Sequence, residues 1–279
     1  MQPPAKAFPL GRDTGYPATV DPAVLFAVPR SDARGAIGLG GDALPFTGAD
    51  LWNAWEFSWL DARGLPRVAV LRLAVPCSSP RLAESKSLKL YLGGYAMTRF
   101  TGPAAVRTRV QDDVSACVAA KVAVTLLGPR EVERAGLVEL AGESLDDQRI
   151  EADAYDAPDP ALLRVQSGAP ALEETLSTRL FRSLCPVTGQ PDWASVVLRY
   201  RGPALERAGL LRYLVSYRRH RDFHEACVER IFCDVAARCA PQGLSVYARF
   251  LRRGGIDINP WRATPRYAAA PGNPREARQ

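Results

Sequence analysis

Two side chains of one short segment, Cys185-Pro-Val-Thr-Gly-Gln-Pro-Asp-Trp193, could carry out covalent chemistry together. A thiolate is a strong nucleophile, and the carboxylic acid of Asp192 could deliver a proton to the group that the sulfur attacks. The segment lies between an apolar run over 176–184 and an alternating run from Val196, which predicts a loop between two strands. The alternative is a buried cysteine and a turn aspartate, and these two residues alone favour that alternative.

A second segment, Arg218–Glu225, offers a carboxylate that could recognise a purine-like ring. Guanine and its analogues present adjacent N–H donors, and the single carboxylate of Glu225 can accept hydrogen bonds from both. His220 and His224, the two histidines of the chain, lie in the same segment. The alternatives are a carboxylate that stabilises a helix N-terminus and histidines that are solvated on an arginine-rich loop.

Two further segments combine charged residues with serine or glycine. The alternation in Glu84-Ser-Lys-Ser-Leu-Lys89 predicts a strand that carries Glu84 and Lys86 on one face and the two serines on the other. In Arg252-Arg-Gly-Gly-Ile-Asp257, the glycines could let the backbone approach a phosphate that the arginines hold. The alternatives are an ordinary solvated strand and a turn, and each pattern is weak by itself.

The elements that must position these segments occur in an internal repeat. Glu84–Leu92 and Glu206–Leu214 both begin with glutamate and end with Leu-x-x-Tyr-Leu. Farther along the chain, Asp113–Val118 matches Phe223–Val228 in the same order. Matches that keep their order predict two copies of one module.

Each copy predicts the order strand, strand, helix, strand, which is typical of an α+β fold. Sheets of this kind leave open edges, which favours closure by oligomerisation. An acidic, proline-bearing stretch connects the copies. The periodicities place the connection at 142–160, strands at 195–200, 210–217 and 244–250, and helices from about Val114 and Val228 onward.

The composition favours a globular protein in the cytoplasm. The chain has 279 residues, of which 47% are hydrophobic, and its formal net charge of +6 weakly favours an anionic partner. No run of about 18 apolar residues predicts a membrane span, and no signal sequence is expected. The six cysteines have no zinc-site spacing, which disfavours a purine or pterin hydrolase of the cyclohydrolase type. The moderately basic composition also disfavours an RNA-binding protein.

Taken together, four strings resemble the 7-cyano-7-deazaguanine reductase family in its long, two-module form. They are Glu84–Tyr91, Cys185–Trp193, Asp222–Glu225 and Arg252–Trp261, and the resemblance extends from about Trp52 to Arg262. It implies an α+β tunnelling fold (T-fold) with two tandem modules in one chain, in which helices cover one face of antiparallel sheets. The implied modules are residues 1–150, with the Glu-Ser-Lys-Ser-Leu-Lys motif, and residues 160–279, with the cysteine and the aspartate.

The resemblance also implies an activity. It is the NADPH-dependent, four-electron reduction of the nitrile of 7-cyano-7-deazaguanine to an aminomethyl group, in the biosynthesis of the modified tRNA nucleoside queuosine. Two NADPH are expected per turnover, with no metal and no flavin, and no Rossmann motif G-x-G-x-x-G follows a strand. The expected partners are the small-molecule substrate and a second copy of the chain in a homodimer, with no nucleic acid bound directly and no membrane.

The family's pattern implies a role for each candidate residue. Cys185 is the nucleophile, which forms a covalent thioimide, and Asp192 is the proton donor. The implied substrate-binding residues are Ala83, Glu84, Ser85, His224 and Glu225, and the implied cofactor-binding residues are Ser85, Lys86, Arg253 and Gly254. Ala83 departs from the family, which usually has a bulkier aliphatic residue there. The repeat places Ser115 opposite Glu225, so the first module is expected to lack a purine anchor, and Cys227 could form a disulfide with Cys185 under oxidation.

Overall fold

The first half of the chain contains a long hairpin, two helices of nine and 16 residues and a strand that follows them, together with two three-residue strands and a five-residue helix. The computed structural model describes residues 15–40 and 43–279. Between residues 15 and 127 the elements are β1 (Ala27–Pro29), α1 (Ser31–Gly35), β2 (Thr47–Leu60), β3 (Pro66–Pro76), β4 (Arg81–Ala83), α2 (Ser85–Gly93), α3 (Pro103–Val118) and β5 (Ala123–Leu127).

The second half follows the same plan after a connecting segment, and it adds one strand. Its elements are α4 (Pro129–Ala135), β6 (Glu143–Ser144), β7 (Ala171–Leu184), β8 (Pro191–Pro203), α5 (Arg207–Val215), α6 (His224–Cys239), β9 (Gly243–Phe250) and β10 (Ile256–Ala263). Five short 3-10 turns, among the described residues, occupy Pro22–Val24, Gly94–Met97, Pro160–Leu162, Ser216–Arg219 and Pro265–Tyr267.

One sheet runs through both halves. Its eight strands lie in the order β5-β3-β2-β10-β9-β8-β7-β6, and all neighbours are antiparallel except β6 and β7. The halves join where β10 pairs with β2 over eight residues, from Ile256 opposite Ala54 to Ala263 opposite Thr47. β1 and β4 form a separate two-stranded sheet. The α+β class with a mainly antiparallel sheet is therefore as predicted, whereas the module boundaries at 150 and 160 stay a prediction.

The helices pack on one face of this sheet because their apolar residues recur every third or fourth position. In α3, Val106, Val110, Val114 and Val118 are all fully buried. α6 buries Val228, Ile231, Phe232 and Val235 against alternate residues of β8 and β9. Each such side chain stabilises the fold by about 1.5–3 kcal/mol relative to an exposed one. The opposite face of the sheet combines buried polar residues such as Arg249 and Asp257 with a small apolar cluster that includes Leu51, Tyr247 and Trp261.

Equivalent hydrogen-bonded trios mark the two copies. Tyr91 Oη lies 2.6 Å from Tyr95 Oη and donates to Asp113 at 2.8 Å. In the second half, Tyr213 Oη lies 2.8 Å from Tyr217 Oη and donates to Asp234 at 2.6 Å. The trios fix the register between the copies: the tyrosines lie 122 positions from their counterparts, and the aspartates, which belong to the second pair of helices, lie 121 positions apart.

This register corrects the predicted alignment of the second pair of helices. α3 begins at Pro103, not at about Val114, because a proline at the first helical position is compatible with the missing N–H bond there. Both helices end before a left-handed alanine, Ala119 in one copy and Ala240 in the other. Ser115 therefore does not correspond to Glu225; the position equivalent to Glu225, the second residue of its helix, is Ala104.

Two predicted strands are also wrong, because both form helices. Residues 85–93 form α2, since Glu84 accepts hydrogen bonds from the backbone N–H groups of Lys86 and Ser87, at 2.8 and 2.9 Å, and so caps a helix. Residues 207–215 form α5 at the equivalent place in the second copy. The alternation in these segments was too short to distinguish a strand from a helix, and each copy has two helices rather than one.

Candidate active site

A tight loop between β7 and β8 presents Cys185. The backbone N–H of Cys185 donates to Gln190 O at 2.9 Å, and the N–H of Gly189 donates back to Cys185 O at 3.0 Å. Gly189 has a φ of +68°, a conformation that glycine adopts without strain. Leu184 is bridged to Arg221, which fixes the start of the loop against the segment before α6. The predicted loop between strands is therefore present.

One pocket collects most of the residues that the sequence singled out. It lies where the α2 end of the first copy meets the Cys185 loop and the start of α6 in the second copy. The predicted site residues that line it are Ala83, Glu84, Ser85, Cys185, Asp192, His224, Glu225 and Arg253. Lys86 and Gly254 are not among its lining residues.

Asp192 lies between two basic side chains, those of Arg253 and His224. Arg253 Nη1 is 2.6 Å from one carboxylate oxygen, and His224 Nε2 is 3.4 Å from the other. Burial alone would raise the pKa of Asp192, but the hydrogen bonds and charges of His224 and Arg253 outweigh it and hold the pKa below its usual value. Asp192 is therefore a carboxylate in the free site near neutral pH, ready to accept a proton before it can donate one.

His224 is oriented by an aromatic ring. Its imidazole stacks on Phe250 with the ring centroids 3.7 Å apart and the planes within 2° of each other. Nε2 points to Asp192, and the buried Nδ1 has no hydrogen-bond partner within the described part of the chain. The imidazole thus has a fixed position and one nitrogen that could bond to a ligand.

Glu225 is the buried carboxyl group of the pocket, and only 3% of the residue is exposed. Burial is the main reason that its pKa rises from 4.5 to about 7, and the negative charge of Asp50 raises it further. His224 and Arg30 act in the opposite direction. A group that titrates near neutrality would ionise readily when a ligand brings N–H donors to it.

The opposite wall is built by β4 and the start of α2. Glu84 is 1% exposed, and its two carboxylate oxygens are held by the helix N–H groups. The N–H of Glu84 donates to Phe26 O at 2.8 Å, and Ala83 pairs with Ala27 in the two-stranded sheet. This wall therefore depends on residues 26 and 27, which the sequence did not connect to the site.

Lys89 also lines the pocket and was missed as a site residue. Burial and the neighbouring charge of Arg253 lower its pKa, while Glu84, Asp192 and Cys185 oppose that change. On a helix, Lys89 shares a face with Ser85, four positions earlier, whereas the predicted strand paired Lys86 with Glu84. Gly254, with a φ of +59°, leaves room for Lys89: an added Cβ would lie 3.3 Å from its side chain.

A buried ionic cluster adjoins the pocket on the α6 side. Arg34 and Arg262 bind Glu229 at 2.8 Å each, and Arg262 also binds Asp50 at 2.8 Å. Arg30 pairs with Asp50 as well. Burial would raise the pKa of Asp50, but the arginines outweigh it and hold the pKa below its ordinary value. The cluster ties β2, α6 and β10 together, since each contributes one of these charges.

The described residues contain neither a group of metal ligands nor a membrane-spanning helix. Within 15–40 and 43–279, no group of three or more histidine, cysteine, aspartate or glutamate side chains is arranged to hold a metal ion. Over the same ranges, no helix combines the length and the apolar character of a membrane span.

Comparison with known proteins places the chain. Residues 16–126 match the family described as "Nitrile reductase, 7-cyano-7-deazaguanine-reductase N-term", and residues 191–268 match "QueF-like protein". An NADPH-dependent 7-cyano-7-deazaguanine reductase of Stenotrophomonas maltophilia is 55% identical over 272 residues, which cover 97% of each chain. This chain belongs to the 7-cyano-7-deazaguanine reductase family.

Other members of the family are similar over the same length. The reductases of Bordetella pertussis and Burkholderia multivorans are 50% and 51% identical over 271 residues, which cover 97% of this chain and 98% of theirs. The family inferred from the four sequence strings is thus confirmed, while the role of each site residue stays a prediction.

Proposed function

We propose that this chain catalyses the NADPH-dependent reduction of 7-cyano-7-deazaguanine to 7-aminomethyl-7-deazaguanine, a step of queuosine biosynthesis. The observation that carries the proposal is the pocket itself, where a cysteine, a carboxylate and a buried acid from one copy face the motif of the other. The names of relatives that match along 97% of the chain support the same reaction.

The deazaguanine ring is held by Glu225 and His224. Adjacent N–H donors on the ring can both bond to the carboxylate of Glu225, which is buried away from water. The substrate therefore favours the ionised form of Glu225. The free Nδ1 of His224 offers another hydrogen bond. Ala83, Glu84 and Ser85 form the facing wall, where backbone groups and the Ser85 hydroxyl can bond to the ring.

The covalent step uses Cys185 and Asp192. The sulfur of Cys185 attacks the nitrile carbon, a carbon–sulfur bond forms, and one π-electron pair of the nitrile moves to nitrogen. Asp192, a carboxylate in the free site, accepts the proton of the Cys185 thiol and passes it to that nitrogen. The product of this step is a neutral thioimide, and no external proton is consumed.

The pocket also fits an anionic cofactor. Lys89 and Arg253 place two basic groups near Cys185, and their positive charges repel each other. A phosphate bound between them would therefore be stabilising. When bound, NADPH supplies hydride to the carbon of the former nitrile, two equivalents per nitrile. Ser85 and Lys86 begin α2, and Gly254 lets the backbone of the β9–β10 turn come close to Lys89, so we retain these residues with Arg253 as the cofactor site.

We further propose a homodimer in the cytoplasm that binds neither nucleic acid directly nor a membrane, and that uses neither metal nor flavin. The eight-stranded sheet supports the dimer, because its edge strand β5 pairs on one side only within the described residues and could meet a second copy.

Intact mass measurement tests the covalent step. The protein is mixed anaerobically with 7-cyano-7-deazaguanine in the absence of NADPH, and we expect a gain equal to one substrate mass. Cys185→Ala should show no gain, whereas Cys117→Ala, which removes a half-buried cysteine of α3, should react like the native chain. A folded, reduced native protein that gains no mass would refute the proposed chemistry.

A further inference from the structure

The segment Asn273–Gln279 lies on the sheet face opposite the helices, where Arg249 of β9 holds it. Arg249 is 3% exposed, and it bonds to Glu276 at 3.0 Å and to the side chain of Asn273 at 3.4 Å. It also donates to Pro274 O and to the side chain of Gln279. The motifs of the chain gave this segment no role, yet four of its residues, Asn273, Pro274, Glu276 and Gln279, contact Arg249 of the sheet.

Gln279 uses both ends of its amide. While its oxygen accepts from Arg249, its Nε2 donates to Phe250 O at 3.0 Å and to Asn259 Oδ1 at 2.8 Å. The same Asn259 oxygen accepts the backbone N–H of Phe250 at 3.2 Å. The residue is 7% exposed, so water cannot readily replace these bonds. Gln279 therefore fixes the backbone of Phe250 at the end of β9.

Phe250 connects this bonding to the active site through the sheet. Its ring projects to the helix side, where it stacks on His224 at 3.7 Å. His224 in turn approaches Asp192 at 3.4 Å, which is near the upper limit of a useful hydrogen bond. A displacement of Phe250 by a fraction of an ångström would thus be enough to weaken the contact between His224 and Asp192.

We propose that Gln279 is a positioning residue for the reaction: through the backbone of Phe250 it holds His224 against Asp192. Its effect on rate rests on the proposed function, but its effect on His224 does not. Replacing the amide removes the side-chain donor to the Phe250 carbonyl and one of the two donors to Asn259 Oδ1, and β9 relaxes where it meets His224. The substrate-binding walls at Glu84 and Glu225 are not touched by this change.

Two variants remove the donor in different ways. Gln279→Met keeps the length of the side chain, and Gln279→Glu keeps an acceptor for Arg249. Arg278→Ala is the matched control, since the neighbouring Arg278 bonds only to Ser195 and to Arg179 O among the described residues. Thermal unfolding of all three variants shows which of them fold. If one Gln279 variant does not fold, the other Gln279 variant tests the proposal.

The first readout is the NMR signal of His224. The chain has two histidines, so ¹³C-labelled imidazole groups give two sets of signals, and His220→Gln assigns them. The ring current of the stacked Phe250 should shift the His224 signals upfield in the native protein. Both Gln279 variants should move them toward the unfolded position, and Arg278→Ala should not. Unchanged His224 signals in both variants would overturn the proposal, whatever the chain's chemistry.

The second readout is the rate of adduct formation without NADPH. A misplacement near the reacting atoms costs up to about 100-fold, so both Gln279 variants should react about 10- to 100-fold more slowly. Their substrate affinity should fall by a smaller factor, because His224 is displaced while Glu225 and the wall at Glu84 still hold the ring. An adduct rate equal to that of the native chain, or an equal loss of rate and affinity, would overturn the positioning role. A native chain that forms no adduct would instead count against the proposed function, and the His224 signals alone would then decide.

Discussion

Replacing the buried acid of the pocket should remove a pH-dependent cost to stability. The Glu225→Gln variant keeps the shape of the side chain but removes its ionisable carboxyl group. The native group has a pKa of about 7 when folded and about 4.5 when unfolded, so the folded state holds its proton over a range where the unfolded state has released it. Stability from this group is therefore present at low pH and is lost as the pH rises from about 4.5 through 7.

The size of the effect follows from the two pKa values. A full difference of this kind corresponds to about 3 kcal/mol above pH 7, at about 1.4 kcal/mol for each pH unit. Because the unfolded group is already mostly ionised at pH 5, the free energy of unfolding of Glu225→Gln, minus that of the native chain, should increase by about 2–3 kcal/mol between pH 5 and pH 8. Other titrating groups cancel in this difference.

Urea unfolding at the two pH values measures it. Glu206→Gln is the control for the same chemical change, because Glu206 is an exposed carboxylate at the start of α5. A Glu225→Gln difference that does not change with pH would refute the reasoning, since Glu225 would then not be held protonated by burial. Calorimetry of substrate binding to Cys185→Ala at pH 7 should also show proton release, and this release should vanish when Glu225→Gln is added.

Three further outcomes are expected. Asp192→Asn should bind the substrate but form the adduct about 100- to 10,000-fold more slowly, measured by intact mass over time, because the amide cannot pass on a proton; a rate near the native one would exclude Asp192 from this role. Tyr213→Phe should lower the free energy of unfolding by about 1–3 kcal/mol in urea titrations, since Asp234 loses its tyrosine donor, whereas Tyr91→Phe should cost less because Arg109 still donates to Asp113 at 2.6 Å; an equal loss in both variants would contradict this reasoning. Peroxide treatment should produce a disulfide between Cys185 and Cys227, detected by peptide mass spectrometry, and its absence would remove that pairing.

The periodic patterns of β8, β9 and α6 were interpreted correctly from the sequence. The alternation of β8 and β9 and the apolar recurrence in α6 each extend over eight or more residues, which defines a period. The six residues from Glu84 to Lys89 are too few, and their helix depends on a capping bond that alternation cannot reveal. Lys89 was consequently missed as a residue of the pocket.

The remaining features depend on contacts between distant parts of the chain. The support that Phe26 and Ala27 give to the pocket wall, and the bonds of Gln279 to β9, join residues that are far apart in sequence and have no motif of their own. The alignment of Ser115 with Glu225 failed for a related reason. A short string of similar letters carried it, whereas the true register is set by buried tyrosines and aspartates that meet only in three dimensions.

The pairing of β2 with β10, which joins the two copies in one chain, has a consequence for genetic complementation. Because both walls of the pocket belong to the same chain, two differently damaged chains have no intact pocket between them. A chain without Cys185 and a chain without Glu84 should therefore fail to complement each other in one cell, unlike enzymes whose sites are shared between subunits. Within the chain, in contrast, the two copies are free to differ: one carries Cys185 and Glu225, and its counterpart has an alanine, Ala104, at the position equivalent to Glu225.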